Sequence, residues 1–372
     1  MSDLPPERIQ PLNDHGIQEN GEYVLYWMQQ SQRARHNDAL HRAVQHANDE
    51  GRPLRVVFGL MDGYPGANLR HYTFLLEGLQ ETQADLAGRG IEMIVEHGHP
   101  AEVALQHASN AALVVTDRGY LRHQKQWRAR VAEEASCLVE QVEADACVPV
   151  EVASDKAEYA ARTLRPKIHE HLDRFMALPE TPSVDHPSST STAKGLDLSD
   201  VEAVTDRLDL DRSVAPVRGL FRGGPSSAEA ILEGFVDTHL AGYDDNRNQI
   251  QRQAVSHMSK YLHFGQVSSV WLATQIQGTE APAEDVDSYI EELVVRRELA
   301  INHVHFRPDT YDDYTCLPEW ARDTLAEHAA DERTYTYSLE TLEQGQTHDP
   351  YWNAAMKEMR ETGYMHNYMR MY

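Results

Sequence analysis

The sequence predicts an α/β domain built on a parallel sheet, followed by an all-helical domain. Five short apolar runs alternate with amphipathic stretches in the first half of the chain. This alternation is typical of a parallel sheet with helices on both faces. A segment rich in Pro, Ser and Thr follows at 179–200, and it indicates a linker or a long exposed loop. From residue 226 onward the pattern is helical.

The strands of the first domain are predicted from short runs rich in β-branched and aromatic residues. These runs are 22–27, 54–60, 91–95, 112–116 and 137–142, and the helical stretches between them include 33–47, 69–87 and 124–135. Ligands of parallel sheets bind beyond the carboxyl ends of the strands. We therefore expect ligand contacts near 27–33, 59–63 and 117–120.

The second domain is predicted from 3.6-residue periodicity. Its helices are expected at 228–240, 267–277, 286–302, 317–330 and 349–362. The predicted boundaries are 1–175 for the α/β domain, 176–210 for a linker and 211–372 for the helical domain. The last pattern is amphipathic and rich in Met, and it reaches Tyr372 without a capping signal, so we expect this domain to be truncated at its C-terminus.

The composition indicates an acidic, soluble protein. The 372 residues include 34 Lys and Arg against 59 Asp and Glu, a formal net charge of −25. Six of the basic residues are Lys and 28 are Arg. Abundant carboxylate suits a protein kept soluble in high salt, so we interpret the charge as a halophilic trait. The sequence lacks a membrane-length apolar run and a secretory signal, and we predict a cytoplasmic protein.

Several common catalytic motifs are absent. The sequence contains no G-x-G-x-x-G after a strand, no G-x-x-x-x-G-K-[ST], no H-E-x-x-H and no G-x-S-x-G. This argues against a dinucleotide dehydrogenase, a P-loop NTPase, a zincin and an α/β-hydrolase. The three Cys residues form no C-x-x-C pair, so neither a disulfide framework nor a metal site is expected.

The candidate functional residues lie between 242 and 372. Ser256 and Ser259 stand at the beginning of a helical pattern. Two hydroxyls in this position either cap the helix or bind a phosphate, and the spacing alone favours capping.

Two further patterns also have two interpretations. Glu292 and Arg296 lie one turn apart, which fits a surface ion pair or a half-buried carboxylate aligned for a ligand. Met365 and Met369 are typical of a core. The polar residues interleaved with them could instead line one side of a pocket.

Four blocks in the helical half resemble the photolyase and cryptochrome family. They are Tyr-x-x-x-Arg-Asn from residue 243, Ser-x-x-Ser-x-Tyr-Leu-His-Phe-Gly-Gln from 256, Glu-Glu-Leu-x-x-Arg-Arg-Glu from 291 and Thr-Gly-x-Met-His-Asn-x-x-Arg-Met from 362. In the first domain, 26–40 and 161–167 look like class II cyclobutane pyrimidine dimer photolyases. The resemblance covers nearly the whole chain from about residue 21, apart from the linker.

The resemblance implies light-driven repair of cyclobutane pyrimidine dimers in DNA, by electron transfer from reduced FAD to a flipped-out dimer. The enzyme would be a carbon–carbon lyase. The first domain would be a Rossmann-like antenna domain, with an antenna chromophore of deazaflavin or folate type left open, and the second would bind FAD. A cofactor that supplies the redox chemistry explains why no nucleophile or acid–base triad is evident.

The implied partner is DNA that contains pyrimidine dimers, and the implied protein is a monomer without a membrane partner. Two alternatives remain at this point. One is a cryptochrome-type flavin photoreceptor without repair activity, and the other is an inactive truncated remnant.

The resemblance also assigns roles to individual residues. The cofactor is expected to contact Tyr243, Val255, Ser256, His257, Met258, Ser259 and Arg370. The expected catalytic residues are Glu292, Asn367 and Met371 at the dimer or flavin edge, and Trp352 in the tryptophan chain that photoreduces the flavin. Arg247, Arg296 and Arg297 are expected to form a basic strip that faces the DNA. Glu292 would need to be protonated or to face an N–H donor, because a bare buried carboxylate repels a carbonyl.

Overall fold

The computed structural model describes residues 4–188 and 195–372. An α/β domain built on a six-stranded sheet comes first, and a helical domain follows it. The fold class predicted from the sequence is thus confirmed. The domain boundaries expected from the sequence, 1–175, 176–210 and 211–372, stay a prediction.

The sheet has the strand order β1-β6-β5-β2-β3-β4. Its strands are Ile9–Pro11 (β1), Tyr23–Trp27 (β2), Leu54–Leu60 (β3), Glu92–His97 (β4), Ala111–Asp117 (β5) and Leu138–Val142 (β6). Strands β2 to β6 pair in parallel, and β1 pairs antiparallel with β6. All five strands predicted from the sequence are present. Strand β1 was missed because its three residues include a Pro and carry no apolar pattern.

The order of the strands reverses at β2. The chain runs outward from β2 to β3 and β4, and it then returns to place β5 on the other side of β2. Such a reversal opens a crevice at the carboxyl ends of the two neighbouring strands. The fold therefore places a ligand crevice beyond Trp27 and Asp117.

Helices cover both faces of the sheet, since β2 and β5 are completely buried. The helices of this domain are Asp38–Asp49 (α1), Leu69–Gly88 (α2), Pro100–Ala108 (α3), Arg122–Glu134 (α4), Val150–Ala153 (α5) and Ala161–Phe175 (α6), and a 3₁₀ turn spans Pro6–Arg8. Helix α1 begins later than predicted because the Asn37 side chain accepts hydrogen bonds from the backbone of Ala39 and Leu40 and so caps the helix.

The predicted linker at 176–210 lies partly outside the described residues, since 189–194 are not described. The rest of its second half is not an exposed loop. Four apolar residues are buried in the core of the first domain, namely Leu198, Val201, Val204 and Leu208. They include one face of a short helix, Val201–Thr205 (α7). The loop expected to be exposed at 179–200 therefore buries Leu198, and the packing of the apolar residues that follow was missed because the polar composition upstream obscured their spacing.

The helical domain has a hydrophobic core that extends to Leu299. Its helices are Pro225–Phe235 (α8), Tyr243–Asn246 (α9), Ser259–His263 (α10), Ser269–Gln277 (α11), Ala283–Ile290 (α12), Arg297–Phe306 (α13), Glu319–Glu327 (α14), Leu339–Glu343 (α15), Pro350–Thr362 (α16) and Asn367–Arg370 (α17). Turns of π-helix span Val236–Leu240 and Glu291–Arg296, and 3₁₀ turns span Ile250–Arg252 and Tyr314–Cys316. Over 307–372, Ala355 and His366 are the buried residues. Within 4–188 and 195–372, no helix combines the length and apolar character needed to cross a membrane.

The loop at 143–148, which follows β6 in the first domain, is held by side chains of the helical domain. Arg297 donates to the backbone carbonyl and the carboxylate of Asp145, at 3.0 and 2.6 Å. Glu298 accepts from the backbone N–H groups of Cys147 and Val148, at 2.6 and 3.1 Å. Two consecutive residues of α13 thus hold the loop that follows β6.

Gly265 forms a second contact between the domains. Its φ angle is +64°, and a Cβ atom here would lie 1.7 Å from the carbonyl oxygen of Gln30. Its own carbonyl accepts a hydrogen bond from the buried guanidinium of Arg33 at 2.9 Å. Only a residue without a side chain allows this approach of the two backbones.

We expect Gly265→Ala to lower the free energy of unfolding by about 3 kcal/mol, because the added methyl combines a left-handed backbone with a backbone clash. Urea unfolding monitored by circular dichroism measures the change. Gly16→Ala is the matched control, since a Cβ at Gly16 meets no atom within 4 Å. Equal stabilities of the two variants would contradict the proposed close contact.

We expect Glu298 to make stability depend on pH. Burial raises the pKa of Glu298 to about 7, although the two backbone donors and Arg297 oppose the shift. An unfolded glutamate titrates near pH 4.3. The folded state therefore keeps a proton that the unfolded state releases, and this contribution to stability is full below about pH 4 and is lost as the pH rises through 7.

Glu298→Gln keeps an acceptor oxygen and removes the titration. Relative to the wild type, the variant should gain about 2 kcal/mol of stability between pH 5 and pH 8. Glu284→Gln, at an exposed position of α12, should show no such gain. Parallel stability curves for Glu298→Gln and the wild type would refute the assignment.

Candidate functional site

A cavity of about 810 Å³ lies between the carboxyl end of the sheet and the helical domain. On the sheet side it is lined by residues that follow β2, β3 and β5, including 27–30, 58–61 and 119–121. On the helical side it is lined by 262–264, Leu293, Ala300, Ile301 and Val304, among others. The cavity thus lies where the strand order reverses and overlaps all three stretches expected from the sequence to contact a ligand.

Polar groups at the sheet side of the cavity are held in place by Asp117. Its carboxylate accepts hydrogen bonds from the backbone N–H groups of Gln29, at 2.8 Å, and of Ser31. Burial raises the pKa of Asp117 to about 6. Within the described part of the chain, the buried Trp27 Nε1 and Gln29 Oε1 atoms have no hydrogen-bond partner. One donor and one acceptor are therefore free beside an otherwise largely apolar cavity.

Glu292 reaches the same cavity from the π-helical turn Glu291–Arg296. Its carboxylate accepts from the Arg247 guanidinium at 2.9 Å, and the two side chains are 36% and 27% exposed. The expected N–H donor for Glu292 is thus present on this protein's own Arg247. A π-helical turn shifts the side chains that follow it relative to an α-helix, and such turns are common at functional sites.

Tyr243 lies next to this ion pair. Burial raises the pKa of Tyr243 to about 12, so that its hydroxyl stays protonated at neutral pH. Asp285 fixes the turn that carries it, because the Asp285 carboxylate accepts from the backbone N–H groups of Gly242 and Asp244, both at 2.8 Å. Sequence reasoning did not single out Asp285, since an aspartate in the first turn of a helix is ordinary.

The stretch that contains Ser256 has an unusual backbone. Gln253 and His257 both adopt positive φ angles, +50° and +56°. Positive φ is uncommon outside glycine, and residues held there concentrate at functional sites. The Ser256 hydroxyl accepts a hydrogen bond from Tyr289 at 2.9 Å. Tyr289 was not predicted and is a buried member of the aromatic cluster around Tyr243.

Neither serine of this block caps the following helix with its side chain. Helix α10 has Met258 at its N-cap position and no side-chain capping bond. Ser259 is the first residue of the helix and lines the cavity. The capping interpretation favoured by the spacing is therefore wrong, although the Ser256 hydroxyl accepts the backbone N–H of Met258 at 3.4 Å just before the helix. Phosphate binding by Ser256 and Ser259 stays a prediction.

The block at the end of the chain contacts this stretch from the other side. The His257 ring packs edge-on against Tyr364 at 4.7 Å and is tilted against Phe221 at 5.2 Å. His366 is buried, and its Nδ1 accepts the backbone N–H of Tyr368. The positive charge of Arg370 lies close enough to lower the pKa of Lys260 and of His366, after burial.

Three of the predicted catalytic residues make no described contact with Glu292. Asn367 is exposed, and Met371 is 70% exposed. Trp352 is half-buried, and its indole N–H donates to the carbonyl of Leu342 at 3.0 Å. No contact between these side chains and Glu292 is present among the described residues. Their roles stay predictions.

The three arginines expected to face DNA all pair with acids. Arg247 pairs with Glu292, and Arg296 pairs with Glu291 at 3.2 Å. Arg297 binds Asp145 at the domain interface. The described contacts do not join them into a strip, because each guanidinium faces a different carboxylate. DNA contact by these residues stays a prediction.

The hydroxyl, cationic and N–H groups of the helical domain suit the binding of a flavin dinucleotide. Hydroxyl donors and cationic groups meet at the Ser256 stretch, and burial leaves several nitrogens unpartnered within the described chain, including Arg247 Nε, His257 Nδ1 and His366 Nε2. Buried polar atoms usually have partners. Their grouping around a strained backbone segment is the arrangement expected where a polar ligand binds.

Comparison with known proteins places this fold and site in context. Residues 24–187 match the family model described as DNA photolyase. The deoxyribodipyrimidine photo-lyase of Methanothermobacter thermautotrophicus is 46% identical over 370 residues, which cover 98% of this chain and 80% of that protein.

Solved structures share the fold at low identity. A class III photolyase from Agrobacterium tumefaciens superposes with a TM-score of 0.73 at 20% identity, covering 94% of this chain and 71% of that one. An archaeal photolyase from Sulfolobus tokodaii, solved with two FAD molecules, superposes with a TM-score of 0.70 at 16% identity, covering 94% and 73%. The fold, the ordered blocks and the identity to the archaeal relative together establish that this chain belongs to the photolyase and cryptochrome family, the family of the deoxyribodipyrimidine photo-lyases.

Proposed function

We propose that this protein repairs cyclobutane pyrimidine dimers in DNA in a light-driven reaction that depends on bound FAD. The observation that carries the proposal is Glu292, which lines the cavity and is held by Arg247 beside Tyr243. The family resemblance predicts the dimer contact at this carboxylate. The identity of 46% to a deoxyribodipyrimidine photo-lyase over almost the whole chain supports the same activity.

Reduced FAD, when bound, supplies the photochemical electron that the reaction needs, and the protein supplies binding and orientation. Tyr243 and the stretch Val255 to Ser259 bind the cofactor in this proposal, with the Ser256 and Ser259 hydroxyls on its phosphates. Arg247 orients the Glu292 side chain, so that its carboxyl group is placed to hydrogen-bond the flipped-out base. A dimer in DNA is unstacked more easily than a normal base pair, which lowers the cost of flipping it.

The sheet side of the large cavity, opposite the helical side that Glu292 lines, supports a second chromophore. It lies at the reversal of the strand order, is largely apolar, and offers the free Trp27 donor and Gln29 acceptor. Flat heterocycles bind in apolar cavities with a few convergent polar groups. We therefore assign an antenna role to the first domain and leave its chromophore, of deazaflavin or folate type, to spectroscopy of the purified protein.

The test of this function is the loss of dimers from ultraviolet-irradiated oligonucleotides, measured in light and in darkness with FAD-loaded protein. Light-dependent loss is the expected result. Flavin absorbance without any dimer loss would instead favour a cryptochrome-type photoreceptor. Absence of both would refute the proposal.

We expect Glu292→Ala to lower the repair yield per absorbed photon at least about tenfold, since a charge-assisted hydrogen bond to the dimer is lost. Flavin content should stay unchanged and is read from the absorbance of the same sample. Glu284→Ala removes the same charge at an exposed position of α12 and is the control. Loss of flavin from Glu292→Ala would show that Glu292 acts on the cofactor and not on the dimer.

A further inference from the structure

Lys260 carries a positive charge that no carboxylate of the described chain neutralises by direct pairing. Lys260 is one of six lysines in the chain, and among the described residues its ammonium forms no ion pair. The Nζ atom donates to the carbonyl of His257 at 2.8 Å and lies 3.7 Å from the centre of the Phe221 ring. A cation over an aromatic face is stabilised by about 0.5–2 kcal/mol, which is much less than a carboxylate provides in a buried pair.

Arg370 adds a second uncompensated cation. Nowhere in the described part of the chain does its guanidinium meet a hydrogen-bond acceptor or a carboxylate within an ion-pair distance. After burial, the positive charge of Arg370 is the second cause that lowers the pKa of Lys260. Lys260 is half-buried and Arg370 is exposed, and two like charges that lie close together repel each other unless an anion lies near them.

Two histidines complete the group with unused nitrogens. His366 is 2% exposed, and its Nε2 atom is buried without a partner among the described residues. The same holds for Nδ1 of His257, whose ring contacts Tyr364. A buried nitrogen without a partner costs about 1–3 kcal/mol, and a bound acceptor would remove this cost.

The position of the group points to one ligand. His257 follows Ser256 directly, and Ser256 and Ser259 are the hydroxyls that the proposed function assigns to the phosphates of FAD. Lys260 and His257 therefore stand within four residues of both hydroxyls on the same backbone segment, and the segment that carries His366 and Arg370 meets them at the contact between His257 and Tyr364. A pyrophosphate carries two negative charges and many acceptor oxygens, so that it matches two cations and several N–H and O–H donors.

We propose that Lys260 is the counter-ion for the pyrophosphate of the flavin dinucleotide, in a cationic group that also includes Arg370, His257 and His366. This inference rests on the proposed binding of FAD and adds to it a charged residue that the family motif does not assign. Lys260 is a cofactor-binding residue in this proposal and takes no part in the repair chemistry.

The charge state of Lys260 provides a specific signature. Burial, together with Arg370, lowers the pKa of Lys260 to about 8. An anion binds the protonated form, so affinity should be high at pH 7 and should fall as the pH approaches 9. The other titratable groups that face the cluster are His239, beside His257, and Glu358, beside Tyr364. Burial raises the pKa of Tyr364 to about 12 and lowers that of His257 to about 4, so neither changes charge in this interval.

The experiment measures FAD affinity of the full chain by quenching of flavin fluorescence, with sodium pyrophosphate as a competitor. At pH 7, Lys260→Met should weaken FAD binding about tenfold and weaken competition by pyrophosphate to a similar extent. Lys260→Arg keeps the charge and should stay within about threefold of the wild type at pH 7. Its affinity should also no longer fall between pH 7 and pH 9.

Lys357→Met is the matched control, because it removes the same charge from an exposed lysine whose recorded partner is Glu361 at 3.9 Å. It should leave both affinities unchanged. Thermal unfolding of each variant verifies that it is folded. If Lys260→Met does not fold, the test is the comparison of FAD affinity between pH 7 and pH 9 in the wild type and in Lys260→Arg.

The outcomes separate this inference from the proposed function. The role of Lys260 would be overturned if folded Lys260→Met bound FAD as tightly as the wild type and the affinity of the wild type did not fall by pH 9. The proposed binding of FAD would then remain intact. Absence of FAD binding in the wild type would refute the proposed cofactor, and pyrophosphate binding would then still show whether Lys260 holds an anion. If Lys260→Met weakened binding to a duplex oligonucleotide and not to FAD, the anion would be a DNA phosphate and the proposal would be wrong.

Discussion

The burial of charged side chains around the loop at 143–148 is the constraint on which the arrangement of the two domains depends. Arg8 from the start of the chain donates to the carbonyls of Glu143, Ala146 and Cys147, at 2.8–3.2 Å. Arg297 and Glu298 hold the loop from the opposite side. Removing one partner from such a buried network leaves an uncompensated charge, which is costly. The loop is therefore fixed, and with it the distance between the sheet and the helical domain.

This constraint also shapes the cavity. Asp145 and Arg297 line it and pair with each other, so the contact that joins the domains is part of the wall of the candidate binding site. Glu292 lies five residues before Arg297, within the π-helical turn that leads into α13. One helix thus presents a carboxylate to the candidate site and a guanidinium to the interface. A shift of this helix would disturb both contacts at once.

The net charge of −25 does not describe the candidate site. Near the Ser256 stretch, Lys260 and Arg370 carry positive charges that have no carboxylate partner in the described chain. The arginines of the helix at 291–306 are instead paired with acids. Electrostatic interactions at short range and low solvent exposure are screened far less by salt than those at the surface. A protein with an acidic surface can therefore keep a local site for an anion.

The sequence by itself determined the fold class, five of the six strands and the identity of the ordered blocks, because alternating apolar runs, helical periodicity and motif spacing are local properties. It did not reveal that 195–210 packs onto the first domain, that Asp285 and Tyr289 support the candidate site, or that Glu292 pairs with Arg247. It also favoured helix capping by Ser256 and Ser259, which the structure does not contain. These features were decided by tertiary structure alone, since they join residues far apart in the chain. Which side chains meet across two packed elements depends on how those elements dock, and no local pattern encodes that geometry.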